Sequence, residues 1–337
     1  MEKLLEMREG FRKWYSSSGV YVDFAAKALL AFAALFMMAR AFPGEDVFSN
    51  LFLIIPAAVL AGIVPIAALP VIAAAFLVGH AFCVGTDAGV YALVICAALY
   101  GIFLHNVRKD PAAVVLTPVF EGLGVPAATP VALGLRQNVS AALSICAGCF
   151  AYSFADKLGA NKEAIAAIPE NEYITRAGLI FGDALKDPKL IVTLLACLAA
   201  FALTTGIQKS GINFAPAIGI VLGCAVYAVF CIFGNFAADA GFNVFAVIIG
   251  AVAAGVIAGI YAFLEFPTDF ARTQLLEFED DDFRYYVKAV PRLHSYSELK
   301  NIKKVSDKKA PDKKAPDKKA ADKKAADKKP KDGTKGA

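Results

Sequence analysis

Glu121 is the residue best placed to do chemistry in this chain. It lies inside an apolar stretch, between Pro118 and Pro126, with Gly122 and Gly124 beside it. An ionisable group at membrane depth is expensive and faces a cavity or a partner, and neighbouring glycines let other backbone approach it. Arg136, Gln137 and Asn138 follow where the next apolar run begins. The spacing predicts that Arg136 pairs with Glu121 across a hairpin or contacts an anion, helped by a helix N-terminus. His80 is the second intramembrane candidate, with Thr86 and Asp87 just after it. Glu121, Arg136, His80, Gln137 and Asn138 are therefore the expected substrate or ion site, with Glu121 as the proton or ion group. A plainer reading also stands: Arg136, Thr86 and Asp87 as interfacial residues and caps, and His80 as a core histidine.

These residues need elements that break inside the membrane, and the prolines supply them. LIIPAAVLAGIVPIAALPV carries Pro56, Pro65 and Pro70; VLTPVFEGLGVPAATPVAL carries Pro118, Pro126 and Pro130. In each, a first proline precedes an apolar run holding glycine, then a second proline, then a third followed by valine. Proline inside a helix removes a hydrogen bond and clashes with the preceding turn. In lipid the freed groups must be satisfied by protein or trapped water. Paired interrupted segments in two halves of a chain point to a transporter-type site; chance matching among common membrane residues is the alternative.

Hydrophobic residues make up 58% of the 337, in runs too long and numerous for a soluble domain. About 20 apolar residues span the hydrocarbon core as a helix. Candidate spans lie at 24–42, 86–105, 137–155, 190–208, 213–234 and 242–264, and 47–85 supplies two limbs joined at Pro65. No small-residue cleavage site follows the first run, so 24–42 is read as a signal anchor. The expected fold is an all-α polytopic integral membrane protein of about eight transmembrane helices, with a re-entrant hairpin and a disordered cytoplasmic tail. Its domains are an amphipathic segment 1–23, a transmembrane domain 24–265, an acidic-aromatic segment 266–302 and a Lys-rich tail 303–337.

Lys3, Arg8, Arg12 and Lys13 place the N-terminus in the cytoplasm by the positive-inside rule. Counting onward, the 47–85 hairpin enters from outside, and 86–105 returns inward to Arg108 and Lys109. The limbs of 112–135 are about 14 and 9 residues, too short to cross about 30 Å at 1.5 Å per residue, so this stretch is read as re-entrant from the cytoplasm. The two proline motifs then run in opposite senses, as in an inverted repeat. The strain falls on the 156–189 loop, which lies outside despite Lys157, Lys162, Arg176, Lys186 and Lys189. The alternative makes 112–125 a short span and 127–155 one bent helix, and so exports the tail.

Seven cysteines, all in apolar runs, behave as small hydrophobes rather than a disulfide framework; the pair Cys146 and Cys149 is read as packing. Asn213, Asn235, Asp239 and Asn243 read as loop or cap positions, and Gly250, Gly255 and Gly259 as a close-contact face. No phosphate loop, HExxH, GxSxG or dinucleotide fingerprint occurs. Neither an enzyme nor a cofactor or metal is expected, and an ATPase subunit would have to be a separate chain. The tail from residue 303 holds 14 Lys and 6 Asp, hence +8, leaving −4 of the net +4 for the rest. Its DKKAP-type repeat cannot bury a core and suits contact with anionic lipid.

The segment Leu275–Arg292 sets acids ahead of Phe283, Tyr285, Tyr286 and Val287. Its later part suits a strand that Pro291 ends, able to dock a cytoplasmic protein by sheet augmentation. Here EFEDDDFRYYVKAVP resembles the end motif of a family of multi-span membrane proteins from Gram-positive anaerobes, often labelled ABC transporter permeases. The Pro-Gly-rich stretch Leu116–Leu135 is similar to that family's second hallmark. The resemblance implies a bacterial cell-membrane protein with permease-like transport, and no functional residues follow from it. A membrane-anchored scaffold, recruiting partners through its C-terminal segment, is the other expectation.

Overall fold

Prolines and glycines cut this apolar chain into helices of very unequal length. The computed structural model describes residues 2–42, 46–106, 111–169, 172–210, 212, 214–265, 274–279 and 284–289. The Met1–Ala271 unit is helical throughout its described elements. α1 (Glu2–Ala41) is one unbroken helix with no interruption at residue 23. α2 (Leu51–Ile63) and α3 (Leu69–Val84) form a first broken hairpin, and α4 (Thr86–Asn106) follows. α5 (Ala113–Gly122) and α6 (Ala128–Leu135) form a second, followed by α7 (Ala141–Ala160). Short helices α8 (Lys162–Ala167), α9 (Tyr173–Ala177) and α10 (Asp183–Leu185) lead to α11 (Pro188–Lys209), α12 (Ala215–Ala238) and α13 (Val244–Glu265).

Among the described residues, five helical runs are long and apolar enough to cross a membrane: Lys13–Ala41, Ile66–Val84, Tyr173–Lys209, Ala215–Ala238 and Val244–Glu265. Large apolar side chains stand on the outer surface, among them Phe52, Phe236 and Phe245. A surface of that kind is stable against hydrocarbon and is an interaction surface in water, so the chain is an integral membrane protein in contact with lipid.

Side-chain contacts fix which helix ends lie together. Lys162 meets Asp46 at 3.1 Å, Arg176 meets Asp87 at 2.8 Å and Lys157 meets Asp187 at 3.1 Å. One end of the bundle therefore gathers the end of α1, the α3–α4 junction, the end of α7 and the start of α11. At the other end Gln137 donates to the Gln208 carbonyl, and the Arg8 guanidinium lies 5.9 Å from the centre of the Phe263 ring. The termini of this helical unit share that second end.

Small residues let the helices close in. Thr204 Oγ1 on α11 donates to the Ala200 carbonyl at 2.8 Å and to the Gly219 carbonyl of α12 at 3.2 Å, and Gly134 of α6 and Gly223 of α12 pack against the same threonine. Such crossings substitute for the hydrophobic driving force that lipid lacks. At the α12–α13 turn, Asn235 exchanges two hydrogen bonds with the Phe242 backbone. Asn243 accepts from the Phe245 and Ala246 amides as a cap, as its sequence position suggests; Asn213 lies outside the described residues.

The Arg272–Ala337 unit contains β1 (Gln274–Glu279) paired antiparallel with β2 (Arg284–Ala289), in the register Leu276 to Val287 and Glu277 to Tyr286. The strand expected in the later part is β2. Of the acidic lead-in, Glu277 and Glu279 lie in its partner strand β1, so one edge of β2 is already used; Asp280, Asp281 and Asp282 lie outside the described residues. The tail expectation, 303–337, lies outside the described residues.

Candidate functional site

The six prolines occupy equivalent positions in the two hairpins. Pro56 lies inside α2 and Pro118 inside α5. Pro65 and Pro126 lie in the breaks between limbs, and Pro70 and Pro130 in the first turns of α3 and α6. The hairpins enter from opposite ends. α2 starts beside Asp46 at the end where α1 stops, and its tip reaches Lys27, whose Nζ donates to the Val64 carbonyl at 2.9 Å. α5 and α6 open toward the other end, where Gln137 meets Gln208, and Gly122 at their tip packs against Met37. Ten residues of α1 separate Lys27 from Met37, about 15 Å at the helical rise. The tips therefore pass one another along α1.

The breaks are satisfied differently. At the second tip the amide of Val125 bonds the Phe120 carbonyl and that of Gly124 bonds the Glu121 carbonyl, at 2.8 and 3.0 Å. Gly124 has φ +77°. This is the Schellman closure, in which a glycine in the left-handed region lets the chain cap its own carbonyls. The first tip has Val64 and Pro65 at its break, with no glycine. Proline brings no N–H, and the Lys27 ammonium supplies a donor from another helix.

Glu121 is thus surplus to backbone needs. Its Oε2 is sealed from solvent with no hydrogen-bond partner. Its surroundings include Cys149 and Tyr152 of α7, with the charges of Asp156 and Lys189 near enough to act on it. A carboxylate held this way is costly unless an ion, proton or ligand compensates it.

The structure does not pair Glu121 with Arg136. Glu121 is at the hairpin tip and Arg136 at its base, as the C-cap of α6, with about 12 Å of helix between them. Arg136 is exposed and its cation complements the C-terminal end of α6. Gln137 is the left-handed residue of the α6–α7 turn at φ 58°, and Asn138 accepts from Ser140 within the same turn. These three form the base of the hairpin, apart from Glu121. His80 is fully buried in α3 and lies flat on Phe42, ring centres 4.8 Å apart, with Phe48 on another side; neither ring nitrogen has a partner. Among the described contacts nothing joins His80 to Glu121.

Between the hairpins lies a cavity of about 130 Å³, walled by α1, α3, α4, α5 and α7. Pro70 of the first motif and Pro118 of the second both face it, with Met37, Met38, Tyr100 and Tyr152. Of the expected site residues none lines the cavity, although Glu121 is adjacent in sequence to Gly122, which touches Met37 and Tyr152.

One residue, Lys27, and one pairing, that of Arg176 with Asp87, escaped the sequence reading. Lys27 is a lone charge within an apolar run, a signal that intramembrane ionisable residues carry by default. Arg176 and Asp87 form an ion pair with side chains only 5% and 9% exposed, packed against Gly85, where a Cβ would fall within 3 Å of both. No local pattern announces a partner that far along the chain. The CxxC pair needs no redox role: Cys149 is buried in the core with Cys197, and all seven cysteines are free. No protein-family model, curated protein or solved structure matches this chain.

Proposed function

We propose that the chain is a transporter or permease-like component of a bacterial cell membrane, moving a small solute by alternating access between the two proline-broken hairpins. The observation that carries this reading is their opposed overlap: two hairpins with equivalent proline positions enter from opposite ends and flank one cavity. Discontinuous segments paired in this way build the sites of many secondary transporters. Glu121 is the coupling group, because it is a buried carboxyl that no backbone or side-chain donor compensates at Oε2.

The proposed topology has about eight spans with α5–α6 re-entrant and both termini cytoplasmic. Two ion pairs support it, since Asp46 with Lys162 and Asp87 with Arg176 require the 156–189 loop to share a side with the first hairpin's base. The arrangement that makes 112–125 a span separates those partners by a membrane. The likeness of Glu277–Pro291 to the permease-labelled family favours the transport reading rather than any particular topology.

Sidedness is tested by cysteines placed at residues 160–167 after the native cysteines are replaced. A membrane-impermeant maleimide should label them from outside intact cells; labelling only in inverted vesicles overturns the topology. Coupling is tested in proteoliposomes holding a pH-sensitive dye under an imposed potential. Wild-type protein should admit protons above the protein-free level and Glu121→Gln should not. Equal proton entry in the two removes Glu121 from the mechanism.

A further inference from the structure

The cavity has a chemistry that the expected site residues do not share. Among the described residues no charged side chain lines it. Its polar atoms are limited to the hydroxyls of Tyr100 and Tyr152 and the sulfurs of Cys96, Met37 and Met38, set among Ala, Pro, Val and Leu. A polar solute held there would exchange water for walls with few partners, at a cost of several kcal/mol per unpaired group. We propose that this cavity binds the hydrocarbon chain of a single-chain amphiphile; as a statement about cargo, this rests on the transport reading above.

Size and access favour one chain. An apolar cavity of about 150 Å³ stays dry and accepts benzene, so 130 Å³ holds part of a single chain. Methionine is unbranched and adapts to irregular apolar guests, and Met37 and Met38 present two such side chains from one helix. Among the lining residues only Tyr100 is exposed, at 40%, which makes the α4 side the mouth. A tyrosine there offers an apolar ring to the chain and a hydroxyl to the head group. The surrounding hydrocarbon supplies such molecules, so no aqueous route is needed.

The test uses full-length protein in lipid vesicles and hexadecanol carrying a mid-chain diazirine as the photoprobe. Adducts should appear on the tryptic peptides Ala28–Arg40 and Gln137–Lys157, and excess plain hexadecanol should compete them away. Labelling of the outer surface at Phe52, Phe236 and Phe245 should not be competed, because bulk lipid is not a saturable site. Ala151→Trp fills the cavity and should lower the competed fraction about tenfold, equivalent to roughly 1.4 kcal/mol, while outer labelling persists. Ala151→Leu should give a smaller loss and serves if the tryptophan variant fails to fold. Non-competed labelling at the cavity peptides, or labelling unchanged in the leucine variant, overturns the proposal. The vesicles are not energised, so saturable binding without proton flux sinks only the transport reading.

Discussion

The two proline-broken hairpins share a sequence pattern but satisfy their breaks by different means. The first depends on side chains from elsewhere in the chain. Lys27 caps its tip, and the ion pairs of Asp46 with Lys162 and Asp87 with Arg176 fasten its base. The second depends on backbone closure at its tip, by Gly124. Close approach at glycine is common to both: Gly62 and Gly79 in the first leave room for Phe24 and Phe48, while Gly250 of α13 leaves room for the Gly124 carbonyl and Gly134 for Thr204. A broken helix in lipid needs donors for its freed carbonyls. Where borrowed charges do that work, few ionisable groups remain for chemistry. Where the backbone closes itself, a carboxyl such as Glu121 is left over.

The contrast can be broken most sharply at the base of the first hairpin. Arg176→Ala leaves Asp87 buried without its cation and should cost about 3–5 kcal/mol, read by equilibrium unfolding in mixed micelles. A loss near zero would mean that the base is not held by charge. Lys27→Met removes the donor at the first tip while keeping the apolar stem, and should cost about 1–3 kcal/mol; Lys27→Arg should recover much of it. If the methionine variant is as stable as wild type, the Val64 carbonyl has another donor and the two tips are less different than described. Gly124→Ala forces a side chain into the left-handed region and should cost about 1–2 kcal/mol, with no direct effect on the first hairpin. Cysteine accessibility at Val64 checks that last point: increased labelling there in Gly124→Ala would show the hairpins to be coupled.

The sequence discloses elements better than their partners. The prolines mark both hairpins because a missing N–H has the same consequence wherever it falls, and Glu121 is visible as a carboxyl among apolar neighbours. Its pairing with Arg136 fails for a geometric reason: sequence proximity across a hairpin becomes distance along it once the limbs are helical. Lys27 and Arg176 act through contacts 37 residues away (to Val64) and 89 residues away (176 − 87, to Asp87), and nothing local encodes such a distance. Glu277 and Glu279 lie in β1, and nothing in their charge announces the register that pairs them with β2. The apolar character of the cavity emerges only when five helices are brought around one space.

One helix touches both tips. α1 meets the first at Lys27 and the second at Met37, about 15 Å apart along a continuous rod. A rod that pivots between two such points drives them in opposite directions, as the arms of a balance do. On the transport reading proposed above, drawing one hairpin inward would release the other, so one tilt would not open both faces of the membrane. Under the alternating access proposed above, α1 would serve as a rocker, and the exclusion that mechanism demands would be a matter of leverage, with no message passed between distant sites.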